Sequence, residues 1–145
     1  MKIRIGSQRG SYLAAAPIAL CMLLPLMAFV VDIAVVYVQY TALQNALDSS
    51  ALAAAKRGQA AGKEIFETNR KASPFLQEDA SCRIQYDASA GVWVAAGKAK
   101  SRSFFIQAAR DAWEHRGEQT ELEAAAAAAL DSSGQPRLIA RYGAK

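Results

Sequence analysis

Side chains able to carry chemistry are few: one His, two Cys, 13 Asp or Glu and 17 Lys or Arg in 145 residues. A metal centre needs His, Cys or carboxylate ligands converging at defined spacings. His115 has no second His to work with, and Cys21 and Cys82 stand far apart. Nor is there a nucleophile with a His base beside it: His115, next to Trp113 and Glu114 on a predicted helix, reads as a solvated or locally paired imidazole. Gly97-Lys98-Ala99-Lys100-Ser101-Arg102 lacks both the glycine spacing and the Gly-Lys-Ser/Thr ending of a phosphate-cradling loop, and reads as a basic loop. No catalytic residue, cofactor or metal is expected, and the chain is read as non-enzymatic. Nucleic acid is also not an expected partner. The net charge is +4, yet the 14 Lys or Arg after Ala55 are interspersed with 11 Asp or Glu, with no basic helix or aromatic RNA-binding signature.

The acid with the most unusual setting is Asp32, because of the element that must position it. Only two charges, Asp32 and Asp48, occur between Tyr12 and Ala55, whereas 25 of the 30 charged residues follow Ala55. From Ser11 to Val31 there is no charge at all, enough to cross a hydrocarbon core of about 30 Å as a helix. Pro17 and Pro25 lie inside this run, and a bend near Pro25 is expected. Lys2, Arg4 and Arg9 precede it and the next basic residues are Lys56 and Arg57, so the positive-inside bias keeps the N-terminus in the cytoplasm. Apolar character persists to Val38, longer than the core of a cleaved signal peptide, which favours an uncleaved anchor. Asp32 then stands at the outer membrane boundary, where an acid is costly unless hydrated, paired or hydrogen-bonded. Cys21, in mid-span after Leu20, reads as a small apolar residue rather than a lipid-attachment site. Cys82 is left as the single extracytoplasmic Cys, able to pair between chains or to stay a buried thiol.

No Gly or Pro interrupts Leu26 to Arg57, so the helix is predicted to run on out of the membrane and to end near Gly58, about 45 residues or roughly 65–70 Å in all. On a helical wheel Asp32, Val35, Val36, Gln39, Ala42, Leu43, Ala46, Leu47, Ser50, Ala53 and Ala54 share one face, and Thr41, Gln44, Asn45, Asp48 and Ser49 the other. The first face needs a covering partner. Its small residues Ala42, Ala46, Ser50 and Ala54 recur every fourth position and allow close helix approach. Asp32, Gln39, Ala42, Leu43, Ala46, Leu47, Ser50 and Ala54 are therefore the candidate interaction residues.

Arg9-Gly10-Ser11, the apolar span, Val31-Asp32 and then Leu43-Gln44-Asn45-Ala46-Leu47-Asp48-Ser49-Ser50-Ala51-Leu52-Ala53-Ala54-Ala55 resemble the N-terminal region of the TadG/TadE-like Flp pilus-assembly proteins. The likeness covers roughly residues 9–57, with Phe66 and Asn69 as a weaker extension resembling that family's FxxN stretch. It implies a bacterial inner-membrane protein with a periplasmic body that takes part in building or anchoring a tight-adherence pilus, without catalysis. Its partners would be the inner membrane and other Flp pilus-assembly proteins or further copies of itself. The positions matching the family motif are Asp32, Leu43, Gln44, Asn45, Asp48, Ala51 and Ala55. Two departures stand out. Ala15 occupies the place, five residues after Gly10, where processed pilin-like relatives carry Glu. Neither Asp87-Ala88-Ser89-Ala90-Gly91 nor Asp131-Ser132-Ser133-Gly134 matches the Asp-x-Ser-x-Ser metal motif of long family members. The competing expectation is an exported hydrolase or ligand-binding domain that uses the apolar segment for delivery alone.

Beyond Gly58 the pattern predicts a helix over Gln59 to Lys71, a turn at Ser73-Pro74, and a β-hairpin pairing 82–86 with 92–95 around a turn from Asp87 to Gly91. Ser103 is placed as the cap of a helix with an apolar stripe of Phe104, Phe105, Ala108, Ala109, Ala112 and Trp113, ending at Gly117. Thr120-Glu121-Leu122-Glu123 reads as a capping box opening a second helix of six alanines and Leu130, stopped by Gly134 and Pro136. Residues 137–142 can add an edge strand. The expected class is α+β: residues 1–10 cytoplasmic, 11–31 a single transmembrane helix, 32–57 its continuation as a stalk helix, and 58–145 a small extracytoplasmic α+β domain with a β-hairpin.

Overall fold

Between Ser11 and Arg57 the chain holds no glycine, and its alanines, leucines and glutamines all favour helix, so two prolines are the only helix-breaking residues. In the computed structural model one helix, α1, spans Gln8–Arg57 and continues through both Pro17 and Pro25. The structure describes residues 8–76, 78–101, 103–105, 108 and 121–143. Gly58 ends α1. Its φ of 88° is a conformation glycine adopts without steric cost, and its N–H still reaches the Ala54 carbonyl at 2.8 Å. A second helix, α2 (Gln59–Ala72), follows at once and buries Gly62 and Phe66. It stops at Ser73, whose extended backbone suits the residue before Pro74 and whose N–H bonds to Asn69 O.

Four strands come next: β1 (Ser81–Asp87), β2 (Val92–Lys100), β3 (Glu121–Leu130) and β4 (Pro136–Gly143). They form one antiparallel sheet in the order β1-β2-β3-β4. The β1–β2 hairpin is longer than its expected core. Tyr86 and Trp93 face each other across it with ring centroids 5.3 Å apart, a cross-strand aromatic pair. The stretch expected to be a basic loop is instead the end of β2 as far as Lys100. Lys98 lies opposite Glu123 and forms ion pairs with it and with Glu121, while Lys100 pairs with Asp79. Cross-strand acids offset these cations, so extended pairing is compatible with the charge run.

The six alanines correct a helix expectation. They belong to β3, hydrogen-bonded to strands on both sides. Alanine's helix preference over ordinary residues is at most about 0.7 kcal/mol per position, and a strand flanked by two partners satisfies its backbone fully. Ala124, Ala126 and Ala128 are buried in the core with α1, and small side chains there let a helix lie close to the sheet. The edge strand expected at 137–142 is present as β4, with a bulge opposite Ala127/Ala128. Of the helix expected from Ser103 to Gly117, Phe104, Phe105 and Ala108 are helical, Ser103 just precedes the helical turn, and the remainder, with Trp113 and His115, lies outside the described residues.

The outer part of α1 does not stand clear of the body as a stalk. Leu43, Ala46, Leu47, Ala51 and Ala54 are buried, and with Phe66, Ile84, Ala95, Ala126 and Ala128 they are the hydrophobic core. A Cβ added at Gly97 would sit 2.9 Å from Leu47, and one added at Gly62 would sit 2.8 Å from Ser50 O and 2.9 Å from Ala54. The sheet therefore rests on one side of α1 and α2 on another. Strand β2 runs back along α1: its start, with Gly91 and Trp93, lies near Ala55; its middle lies at Leu47; and the chain just beyond its end reaches Asp32. Both hairpin turns thus sit at the far end of the described body, and the chain leaving β2 arrives at the apolar end of α1.

Candidate functional site

A fold built on one helix this long must do something with the part that its own body leaves uncovered. From Ala15 to Ile33, about 28 Å at 1.5 Å per residue, the large apolar side chains of α1 are bare; Met22 and Met27 are each about two-thirds exposed. Apolar surface of this extent is out of place in water and matches the thickness of a bilayer core. The helix is long and apolar enough to cross a membrane.

Asp32 breaks this bare surface and is itself fully buried. Its Oδ1 accepts a hydrogen bond from the Phe104 N–H and its Oδ2 one from the Phe105 N–H, both at 2.9 Å. Phe104 and Phe105 open a helical turn, and the first N–H groups of a helix have no acceptor within it. A carboxyl group on α1 thus supplies the cap for a segment that follows β2. Of the three conditions under which an acid is tolerable at the membrane boundary, the structure realises hydrogen bonding under cover. Asp32 does not simply reach interfacial water. Phe104 and Phe105 point their rings outward, 67% and 52% exposed.

Further along α1, Gln39, Leu43, Ala46, Leu47, Ser50 and Ala54 are buried and Ala42 is half-buried. Their cover is the protein's own sheet and α2, so this face is occupied within one chain. Ser50 Oγ donates to Ala46 O at 2.6 Å, which hides its hydroxyl. Among the motif residues, Ala51 and Ala55 are buried as well, and Asn45 is exposed. Gln44 and Asp48, assigned by the wheel to the open face, are also buried. Gln44 Nε2 donates to Asp48 Oδ1 at 2.9 Å and to Ala125 O at 3.3 Å, and Asp48 Oδ2 lies 2.6 Å from an Arg141 guanidinium nitrogen as an ion pair outside hydrogen-bond alignment. Gln44 Oε1 is buried without a hydrogen-bond partner. The wheel assumed one flat covering surface. The sheet and α2 together wrap a wider arc, and β4 reaches Asp48 from the other side.

Cys82 is half-buried and free. Burial, with Glu67 nearby, outweighs the attraction of Lys63 and pushes its thiol up to about 11, the opposite of a reactive cysteine. The outer face of the sheet carries an open groove around Ala96 and Ala125, bordered by Arg83, Lys98, Glu123 and Tyr142. Among the described residues no group of three or more His, Cys, Asp or Glu could hold a metal ion. The two Asp-Ser turns are closed locally: Asp87 Oδ1 accepts from Ser89 N–H and Oγ–H, and Asp131 Oδ1 from Ser133 N–H and Oγ–H and from Gln135 N–H. These hydrogen bonds hold both carboxyls below the usual carboxylate range.

The helix that carries the bare span, the Asp32 cap and the buried motif is also the region with known counterparts. Residues 10–57 match the Tad family model, Flp pilus-assembly TadE/G-like. The Tad match begins near the start of α1 and ends with it at Arg57. It leaves α2 and the sheet unmatched. No curated protein and no solved structure matches the chain significantly. The Tad match supports involvement in Flp pilus assembly, and with the apolar helix it supports anchoring in a membrane.

Two features of the site escape sequence reasoning. Arg141 as the partner of Asp48, and the Phe104-Phe105 amides as partners of Asp32, lie 72 or more residues away along the chain. An acid at the end of an apolar run beside a predicted helix start gives a faint signal for the second pair. For the first there is none.

Proposed function

We propose that this protein is a non-enzymatic, single-pass component of Flp pilus assembly in the bacterial inner membrane, with residues 11–31 in the bilayer, the N-terminus in the cytoplasm and the body in the periplasm. The observation that carries the reading is the coincidence of the Tad match with α1, among the described residues the element whose apolar surface is left bare over a bilayer's thickness. The body's own sheet and α2 cover the Leu43 to Ala54 face, so helix association with other assembly proteins or further copies runs through the bare residues, such as Met22, Val30 and Ile33. The Asp32, Gln39, Ala42, Leu43, Ala46, Leu47, Ser50 and Ala54 set, with Ala51 and Ala55, serves that association by holding the body on the helix at a set height. The sheet's outer groove and hairpin turns are free to meet periplasmic partners.

Site-specific photocrosslinking in native membranes tests this. Probes at Met22 and Val30 are expected to trap defined Flp assembly proteins or a second copy, and a probe at Ala46 to trap neither. Equal trapping at Ala46, or none at any position, overturns it. Mass determination of the protein recovered from membranes is expected to show the span retained. Cleavage after about residue 30 would favour an exported hydrolase or ligand-binding domain.

A further inference from the structure

Phe104 and Phe105 are two large exposed aromatic side chains in the segment after β2, and their position is not left to a free loop. The two hydrogen bonds to Asp32 fix their backbone against α1 one residue past the end of its charge-free run. Around that level α1 itself is bare, with Val30, Val31 and Ile33 all more than half exposed, so the two rings extend an apolar surface that is continuous with the span. Large apolar side chains such as Phe on a surface segment beside a membrane sink into the headgroup/acyl boundary, driven by the apolar area removed from water. Among the described residues the cations nearest the segment, Lys98 and Lys100, are paired with Glu121, Glu123 and Asp79.

We propose that the Ser103–Phe105 segment is a second membrane contact, with Phe104 and Phe105 resting in the interfacial layer of the bilayer beside the outer end of α1. The body then lies on the lipid surface, held there by Asp32, instead of standing above it. The occupant of this surface is lipid. The contact is apolar rather than electrostatic, so it is the same on zwitterionic and anionic bilayers. The inference rests on the reading of α1 as a membrane anchor, and its test separates the two.

The full chain, with Cys21→Ala and Cys82→Ala, is reconstituted in phosphatidylcholine vesicles with and without phosphatidylglycerol. Single nitroxide labels are placed at Met22, Ser103 or Ser89, and their accessibility to oxygen and to a water-soluble nickel complex is read by power saturation. Met22 is expected to report hydrocarbon, Ser89 water, and Ser103 the interface, alike in both lipids. Ser103 as wet as Ser89, with Met22 in hydrocarbon, overturns the second contact and leaves the anchor. Met22 in water overturns the anchor and the contact together. Ser103 shielded from both reagents means a protein covers it, and also overturns the proposal. With Phe104→Ser and Phe105→Ser combined, the Ser103 label is expected to shift toward water while the body's resistance to denaturant unfolding is unchanged. An unshifted label shows that the aromatics do not hold the segment, and overturns the proposal as well.

Discussion

Asp32 shows how a residue that is unfavourable in one setting becomes structural in another. Alone at the end of an apolar helix its carboxyl would be costly, and the first amides of the next helical turn would be unsatisfied; each supplies what the other lacks. Asp32→Asn keeps one acceptor oxygen. The loss of one hydrogen bond, about 1 kcal/mol net, is expected to speed amide exchange at Phe104 or Phe105 roughly fivefold, and Asp32→Ala to speed both, as read by hydrogen exchange with mass spectrometry. Unchanged exchange in Asp32→Ala would show that the cap does not hold the segment. Cys82 makes a second prediction at this scale. With its thiol raised from 9.0 to about 11, the thiolate fraction near pH 8 is about 100-fold below that of an ordinary thiol, partly offset by a more nucleophilic sulfur. Iodoacetamide is expected to alkylate Cys82 about tenfold more slowly in the folded protein than in urea, with the rate still climbing between pH 9 and 11. Because the folded form holds its proton to higher pH than the unfolded chain, this group weakens the fold as pH rises above about 9.

Between elements the decisive quantity is the distance of approach. Gly97 on β2 and Gly62 on α2 lie tight against α1, and an added methyl would sit under 3.0 Å from Leu47 and Ser81 O at Gly97 and from Ser50 O and Ala54 at Gly62. Gly97→Ala and Gly62→Ala are each expected to cost about 1–3 kcal/mol through overpacking, measured by denaturant unfolding of the detergent-solubilised protein followed by tryptophan fluorescence. A cost near zero at both would mean that the elements do not approach this closely. The alanines of β3 follow the same logic: with Ala126 and Ala128 fully buried in the core with α1, their small size is what the packing uses.

At the scale of the molecule, α1 is two things joined end to end: a bare apolar rod and the central core element of an α+β body. The consequence is a contrast between neighbours. Ala46→Glu places a charge in the core, where burial without a partner costs several kcal/mol, whereas Asn45→Glu lies on the exposed side. Ala46→Glu is expected to make the body protease-sensitive and Asn45→Glu to leave it resistant, in membranes that hold no pilus machinery. Equal resistance would mean that the Ala46 face is covered by a partner protein and not by the sheet.

Much of this was legible in the sequence wherever the deciding forces are local. The charge-free run to Val31, the helix through it, its end at Gly58, the restart of α2 and the turn from Asp87 to Gly91 follow from hydrophobicity, backbone freedom at glycine and the restraint of Pro74. The periodic face from Leu43 to Ala54 likewise showed that something must cover α1. What covers it was decided by tertiary structure, because a helical wheel records which side is apolar and not whose surface meets it, or over how wide an arc. The alanine run was expected to be a helix, and tertiary structure overturned that for the same reason. Alanine's helix preference is small at each position, so the paired edges of β2 and β4 and the close flank of α1 outweighed it and selected strand. Asp32 could be read as an anomaly at the membrane boundary, but its partners 72 and 73 residues away become neighbours only once β2 has run back along the helix.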